Sequence, residues 1–220
     1  MRILAISGSP RGKQSNTRRL IELVLDGARS VGAETELADL SELHICYCTA
    51  CNSCHVTGQC VIDDDMGPLR DKMLGADGLV LGSPLYFDSV TAQLKTVIDR
   101  LAEVVHCQMF LGKYGCSVGT SGGPEKDTVV DYMNGLLVRL GCTVVGGVSA
   151  SMSLPGSFDA AQAAAAELGR ELVRAFEEKR TDSNQEKVHA AMFERFKHLV
   201  AANKENWPHE YSYWQSKGWL

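Results

Sequence analysis

Five short apolar runs, each followed by turn residues and then by helical periodicity, constrain this chain more than any other feature of it. The runs cover residues 2–7 (RILAIS), 34–40, 78–82 (GLVLG), 114–118 and 142–148. Runs of this length bounded by Gly, Pro and small polar residues read as buried strands, whereas 34–40 alternates. Between them the period changes. Leu20, Ile21, Val24, Leu25 and Ala28 recur at helical spacing after the cap-type residues Ser15, Asn16 and Thr17. Leu94, Val97, Ile98 and Leu101 share one face of an expected helix over 91–105. Further helices are expected over 63–74, 128–140 and 160–178. Strands alternating with helices are βαβ units, and their right-handed crossovers put helices on both faces of a parallel sheet. The expected fold over 1–178 is α/β: a doubly wound, five-stranded parallel sheet.

Composition narrows the function classes. With 220 residues, 45% hydrophobic and 22% charged, the chain is an ordinary globular protein of one domain plus an appendage. Lys+Arg 22 against Asp+Glu 27 gives a net charge of −5, which argues against the basic face of a nucleic-acid binder. No apolar stretch approaches the roughly 18 residues of a membrane span. The opening MRILAISGSPRGK is an apolar run broken by Gly and Pro rather than a signal peptide, so the expected location is cytoplasmic.

The appendage is expected at 179–220. Val188, Met192, Phe196, Leu199 and Val200 mark an amphipathic helix, and all three Trp (207, 214 and 219) follow it. The segment WPHEYSYWQSKGWL is too aromatic to be a solvated tail. It is either a brace on its own subunit or a contact between copies in a dimer or tetramer.

In an open parallel sheet, ligands sit outside the carboxyl ends of the strands, near the point where strand order reverses. Three loops fall there: 8–17 (GSPRGKQSNT), 82–89 (GSPLYFDS) and 119–124 (GTSGGP). The first suits a phosphate, since a helix N-terminus offers free N–H groups and a positive dipole end. Ser9, Ser15, Asn16 and Thr17 add hydroxyl and amide donors, and Arg11 adds charge. Neither G-x-x-x-x-G-K-[ST] nor G-x-G-x-x-G is present, which disfavours a P-loop and a dinucleotide fingerprint. Pro84, Leu85, Tyr86 and Phe87 form a stiff apolar edge suited to a flat ring. Thr120, Ser121, Gly122 and Gly123 let backbone approach a ligand closely. Phosphate grip, planar slot and backbone donors together fit flavin mononucleotide.

The order strand-GSPR-x3-SNT-helix, then strand-GSPLYFDS-helix, then GTSGG resembles the flavodoxin-like NAD(P)H-dependent FMN reductase family over residues 1–178. The resemblance implies that Ser9, Arg11, Ser15, Asn16 and Thr17 hold the FMN phosphate. It places Pro84–Phe87 and Thr120–Gly123 along the isoalloxazine, with Asp88 and Ser89 capping the next helix. No residue stands out as a catalytic acid or base.

Cysteine usage is the remaining oddity. Five of the eight lie between Cys46 and Cys60, in a segment (44–62) without periodicity. Cys48-x2-Cys51-x2-Cys54-x5-Cys60 matches the compact ligand run of a 4Fe–4S cluster. Structural zinc prefers two pairs set a dozen or more residues apart, so zinc is a poorer match; free redox-active thiols remain open. In a flavodoxin-like chain this spacing resembles the iron–sulfur flavoproteins. That resemblance implies FMN and a cluster exchanging electrons in a homodimer or homotetramer, one chain's cluster near another's FMN. A redox partner protein or a small-molecule acceptor completes the chain, with NAD(P)H as a candidate donor. Two alternatives stand beside it: an NAD(P)H-dependent FMN, quinone or nitro reductase with no cluster, and a zinc or thiol sensor. Cys46 reads as a spare buried thiol, Cys107, Cys116 and Cys142 as core residues, and His55 as an exposed loop residue.

Overall fold

The computed structural model describes residues 1–220. Strands β1 (Arg2–Ser7), β2 (Glu34–Asp39), β3 (Gly78–Pro84), β4 (Tyr114–Ser121) and β5 (Thr143–Ser151) form one parallel sheet in the order β2-β1-β3-β4-β5. The helices are α1 (Asn16–Arg29), α2 (Ser53–Thr57), α3 (Met66–Gly75), α4 (Ala92–Asp99), α5 (Ala102–His106), α6 (Thr128–Arg139), α7 (Ser157–Glu177), α8 (Ser183–Ala202) and α9 (Pro208–Ser216). Alternate strand residues face two separate cores. Ile3, Ala5, Val80, Cys116 and Val118 meet α1 and α7 on one side. Leu4, Ile6, Leu79 and Leu81 meet α3, α4 and α6 on the other. Burial on both faces is why the central strands read as continuous apolar runs. Cys107, Cys116 and Cys142 are fully buried, as expected of small core residues.

The α1–α7 contact is set by two glycines. A Cβ on Gly27 would stand 1.9 Å from the Ala166 carbonyl oxygen, and one on Gly169 would stand 1.9 Å from that of Val24. Backbone meets backbone there, so no side chain can yield. Gly169→Ala is therefore expected to cost about 1–3 kcal/mol by overpacking, read as a lower urea midpoint, despite the better helix propensity of Ala.

The elements differ from expectation at their ends. β4 runs on through the Gly-Thr-Ser that sequence placed in a loop, because its residues stay paired with β3 to Thr120 and with β5 to Ser121. The single helix expected over 91–105 breaks at Arg100 and Leu101. The break falls where the Arg100 side chain is drawn off to Asp64. Thr91, not Asp88 or Ser89, caps α4 by accepting from the Leu94 amide. Phe87 and Asp88 instead take φ of 47° and 61° in a two-residue reverse turn closed by Tyr86 and Ser89, which hydrogen-bond to each other in both directions.

The C-terminal segment docks on its own chain. α8 covers the β5 edge: the Gln185 side-chain amide donates to the Val144 carbonyl at 2.9 Å and accepts from its amide at 2.7 Å. Such a cap blocks the unpaired edge that would otherwise template association. The aromatic segment forms α9, with Pro208 at its first turn. Trp214 is fully buried with Phe196 and Val200, and its indole N–H donates to the His106 carbonyl.

Candidate functional site

Strand order reverses between β1 and β3, and the first two loops meet there. The Gly8 amide donates to the Gly82 carbonyl at 2.7 Å, and the Thr91 hydroxyl donates to the Gly8 carbonyl at 2.6 Å. Ser15 caps α1 by accepting from the Arg18 amide, which leaves the first amides of α1 without intrahelical acceptors. Thr17 and Thr120 share a hydrogen bond of 2.7 Å that ties the first loop to the third. The Leu85 amide donates to the Thr120 carbonyl at 2.7 Å, tying the second to the third.

These ties enclose a cavity of about 420 Å³. The first loop lines it with Ser9, Arg11, Ser15, Asn16 and Thr17, the second with Pro84, Leu85 and Tyr86, and the third with Thr120, Ser121 and Gly122. Its size falls within the roughly 300–1,000 Å³ of small-molecule sites. Two expected residues lie outside the lining. Phe87 is wholly exposed at its turn, and the Gly123 carbonyl is held by the Ser121 and Ser151 hydroxyls. Met152 joins the lining unforeseen, its sulfur 2.8 Å from the Asn16 amide nitrogen. It follows β5 as the other loops follow their strands, so the same carboxyl-end rule would have found it. Buried hydroxyls and free helix amides at one end, with a Pro-Leu-Tyr wall at the other, fit a phosphate joined to a flat ring system.

The largest groove, about 470 Å³, lies elsewhere, where Arg2, Glu34, Glu36 and Lys72 rim the amino ends of β1 and β2. Within it Lys72 pairs with Glu36 at 2.6 Å. Parallel sheets do not present ligand sites at that end.

A second site lies in the connection from β2 to α3. Cys48, Cys51, Cys54 and Cys60 line one cavity of about 170 Å³. Ala50 and Asn52 turn the chain between the thiols with φ of 53° and 64°, a conformation costly for Ala, and strain of this kind clusters at functional sites. The Ala50 amide lies 3.4 Å from the Cys48 sulfur. The Ser53 backbone amide leads the groups that lower the Cys51 thiol, whereas burial, and then Glu210, raises that of Cys54. Cys46 points elsewhere: it is half-buried rather than buried, with its sulfur 3.5 Å from the His44 ring.

Arg100 closes this cavity from the α4–α5 break. Its side chain is 2% exposed and pairs with Asp64. Burial would raise the Asp64 carboxyl, but Arg100 and the Cys46 and Met66 amides outweigh it and bring it down to about 2. The pair is therefore ionised throughout the physiological range. The Arg100 Nε is buried and has no acceptor.

His55 overturns its expectation. It is buried, and its Nδ1 bonds Glu210 Oε1 at 2.5 Å, while His106 Nδ1 bonds Oε2 at 3.1 Å. The two imidazoles stack on each other, and Trp207 stacks on both. Gly58 has φ of 76° and would press a Cβ within 2.4 Å of the His209 ring. The C-terminal helix thus seals the cysteine segment.

Fold and cavities together define a flavodoxin-like α/β protein with one cavity at the switch point and a separate cavity lined by four thiols. Residues 1–154 match the family described as NADPH-dependent FMN reductase. An iron-sulfur flavoprotein of Archaeoglobus fulgidus is 33% identical over 228 aligned residues, covering 100% of both chains. Another, from Methanosarcina thermophila, is 38% identical over 61% of this chain and 73% of its own. Among solved structures, a flavone reductase superposes with a TM-score of 0.63 at 24% identity, over 80% of this chain and 63% of its own. An archaeal flavodoxin gives 0.55 at 13% identity, over 80% and 99%; both likenesses speak to the fold. The chain belongs to the NADPH-dependent FMN reductase family, in its iron-sulfur flavoprotein branch. It is an FMN-dependent oxidoreductase. No helix is long and apolar enough to cross a membrane.

Proposed function

We propose that this oxidoreductase passes electrons between FMN in the switch-point cavity and a 4Fe–4S cluster held by Cys48, Cys51, Cys54 and Cys60. The observation that carries the proposal is the gathering of all four thiols around one cavity that is also lined by Arg100, a buried guanidinium whose Nε has no acceptor. A cavity of about 170 Å³ exceeds the space of a single ion, for which one water's share of about 30 Å³ is the scale. When bound, FMN supplies two-electron exchange and a cluster supplies one-electron steps.

The protein's own part is binding and orientation. The first turn of α1, with Ser9, Ser15, Asn16 and Thr17, holds the phosphate, and Arg11 adds charge. Pro84, Leu85 and Tyr86 wall one side of the ring from water, and Thr120, Ser121 and Gly122 offer polar groups to the other. Phe87 and Gly123 stay outside the lining and are not assigned to the flavin. Residues 1–178 form the flavin domain with its cysteine insert at 44–62, and 179–220 form the extension that seals it.

The partners follow from the same reading. NAD(P)H is the candidate donor, a redox protein or a small molecule the acceptor, and the cytoplasm the setting. Assembly as a homodimer or homotetramer is supported by exposed apolar side chains flanking both sites: Phe87 at 105% exposure, Tyr47 at 75% and Val61 at 67%. The reading is tested by replacing the four cysteines with Ser. Reduction of a one-electron acceptor by NAD(P)H should fall by an order of magnitude or more while FMN stays bound. Undiminished turnover would instead support a reductase that needs no cluster.

A further inference from the structure

Arg100 has more hydrogen-bonding capacity than its protein partners use. Nη1 donates to the Cys46 carbonyl and to Asp64 Oδ2, each at 2.8 Å. Nη2 donates to Asp64 Oδ1 at 3.1 Å and lies 3.2 Å from the Cys60 sulfur. Nε, equally buried, donates to nothing. Proteins rarely leave such a donor unpaired, because a buried N–H stripped of water and given no acceptor is destabilising. Asp64 and the Cys46 carbonyl fix the guanidinium plane, so Nε cannot swing away to find water. Arg100 is also the one Lys or Arg lining the thiol cavity. A bare metal ion brings no acceptor for Nε. An iron–sulfur cluster brings bridging sulfides, which are acceptors beyond the four thiolates.

We infer that Arg100 is a positioning residue for the cluster, donating from Nε to a cluster sulfur and from Nη2 to the Cys60 thiolate, and thereby holding the cluster's reduction potential up. The inference rests on the cluster reading of the cysteine cavity. Its physical basis is that reduction adds negative charge, which donors and a buried cation beside the sulfurs stabilise. Asp64 offsets the charge of Arg100 but leaves both sulfur-directed donors in place. Asp99 also lines the cavity and opposes the effect, so the donors rather than net charge set the sign.

The test uses the full-length protein purified without oxygen, as wild type, R100K, R100Q and the charge-balanced D64N/R100Q. Iron and acid-labile sulfide are counted per FMN, and cluster and flavin midpoint potentials are titrated in the same samples. The expected result is a full cluster in R100K with a more negative potential, and a larger shift in R100Q and D64N/R100Q. The FMN midpoint should not move in any of them. Cluster-loaded variants with the wild-type potential would overturn the inference. Loss of iron and sulfide from every variant with FMN retained would also overturn it, reducing Arg100 to scaffolding. Wild-type protein carrying FMN but neither iron nor sulfide would fail the cluster reading itself, a separate outcome.

Discussion

Replacing Glu210 by alanine is expected to lower stability by roughly 2–4 kcal/mol, because the buried His55 loses its acceptor at about 1–3 kcal/mol and the half-buried His106 loses its own at about 1 kcal/mol. Glu210 is fully buried, and each of its carboxylate oxygens meets a different histidine, His55 at the cysteine segment and His106 in α5. The carboxylate is thus a pin joining three distant stretches of chain. Glu210→Gln keeps one acceptor oxygen and should lose about half as much. Urea unfolding followed by tryptophan fluorescence reads both variants well, since Trp207 stacks on the two histidines and Trp214 is buried beside them. A loss under about 1 kcal/mol for the alanine variant would mean that α9 is held by apolar packing alone. Because His55 adjoins Cys54, the alanine variant should also release iron to a chelator several-fold faster than wild type.

The phosphate grip gives the second large effect. Ser15→Ala with Thr17→Val removes two buried hydroxyls beside the free amides of α1. Hydrogen bonds to a charged group are worth about 1.5–3 kcal/mol each, so the pair should raise the FMN dissociation constant about 100-fold or more. Ser15 is also the helix cap, and its loss costs about 1 kcal/mol of stability on its own account. Riboflavin, which lacks the phosphate, separates the two roles: its affinity should change less than about threefold, within roughly 0.6 kcal/mol. Equal losses for FMN and riboflavin would place the phosphate elsewhere.

Much of the fold was legible because two periods encode it. Central strands buried on both faces must be apolar throughout, and α1 shows its stripe plainly through Leu20, Ile21, Val24 and Leu25. The three loops were legible for a related reason: at the carboxyl ends of parallel strands, glycine and small hydroxyl residues have a ligand-facing task. What escaped was decided by contacts distant in sequence. Nothing near Arg100 announces a helix break, since its partner Asp64 lies 36 residues away. His55 looked like a loop residue because Glu210, 155 residues on, is what buries it. The aromatic tail showed that it must be covered, but not that the cysteine segment and α5 of its own chain would cover it. Phe87 was placed against the flavin by its neighbours, yet the tight turn closed by Tyr86 and Ser89 points it to solvent. Spacing separates Cys46 from the other four thiols, and Cys46 does lie outside their cavity, but spacing does not reveal that it is half-buried beside His44.

Everything proposed for the two cavities requires one chain to carry both a flavin and an iron–sulfur cluster. The measurement that bears on it most directly is a count of FMN, iron and acid-labile sulfide in protein purified without oxygen, with its visible spectrum. Flavin absorption over a broad iron–sulfur shoulder is expected, with one FMN to about four iron and four sulfide per chain, as a 4Fe–4S cluster requires. Full flavin with no iron and no sulfide, or with stoichiometric zinc in their place, would contradict it.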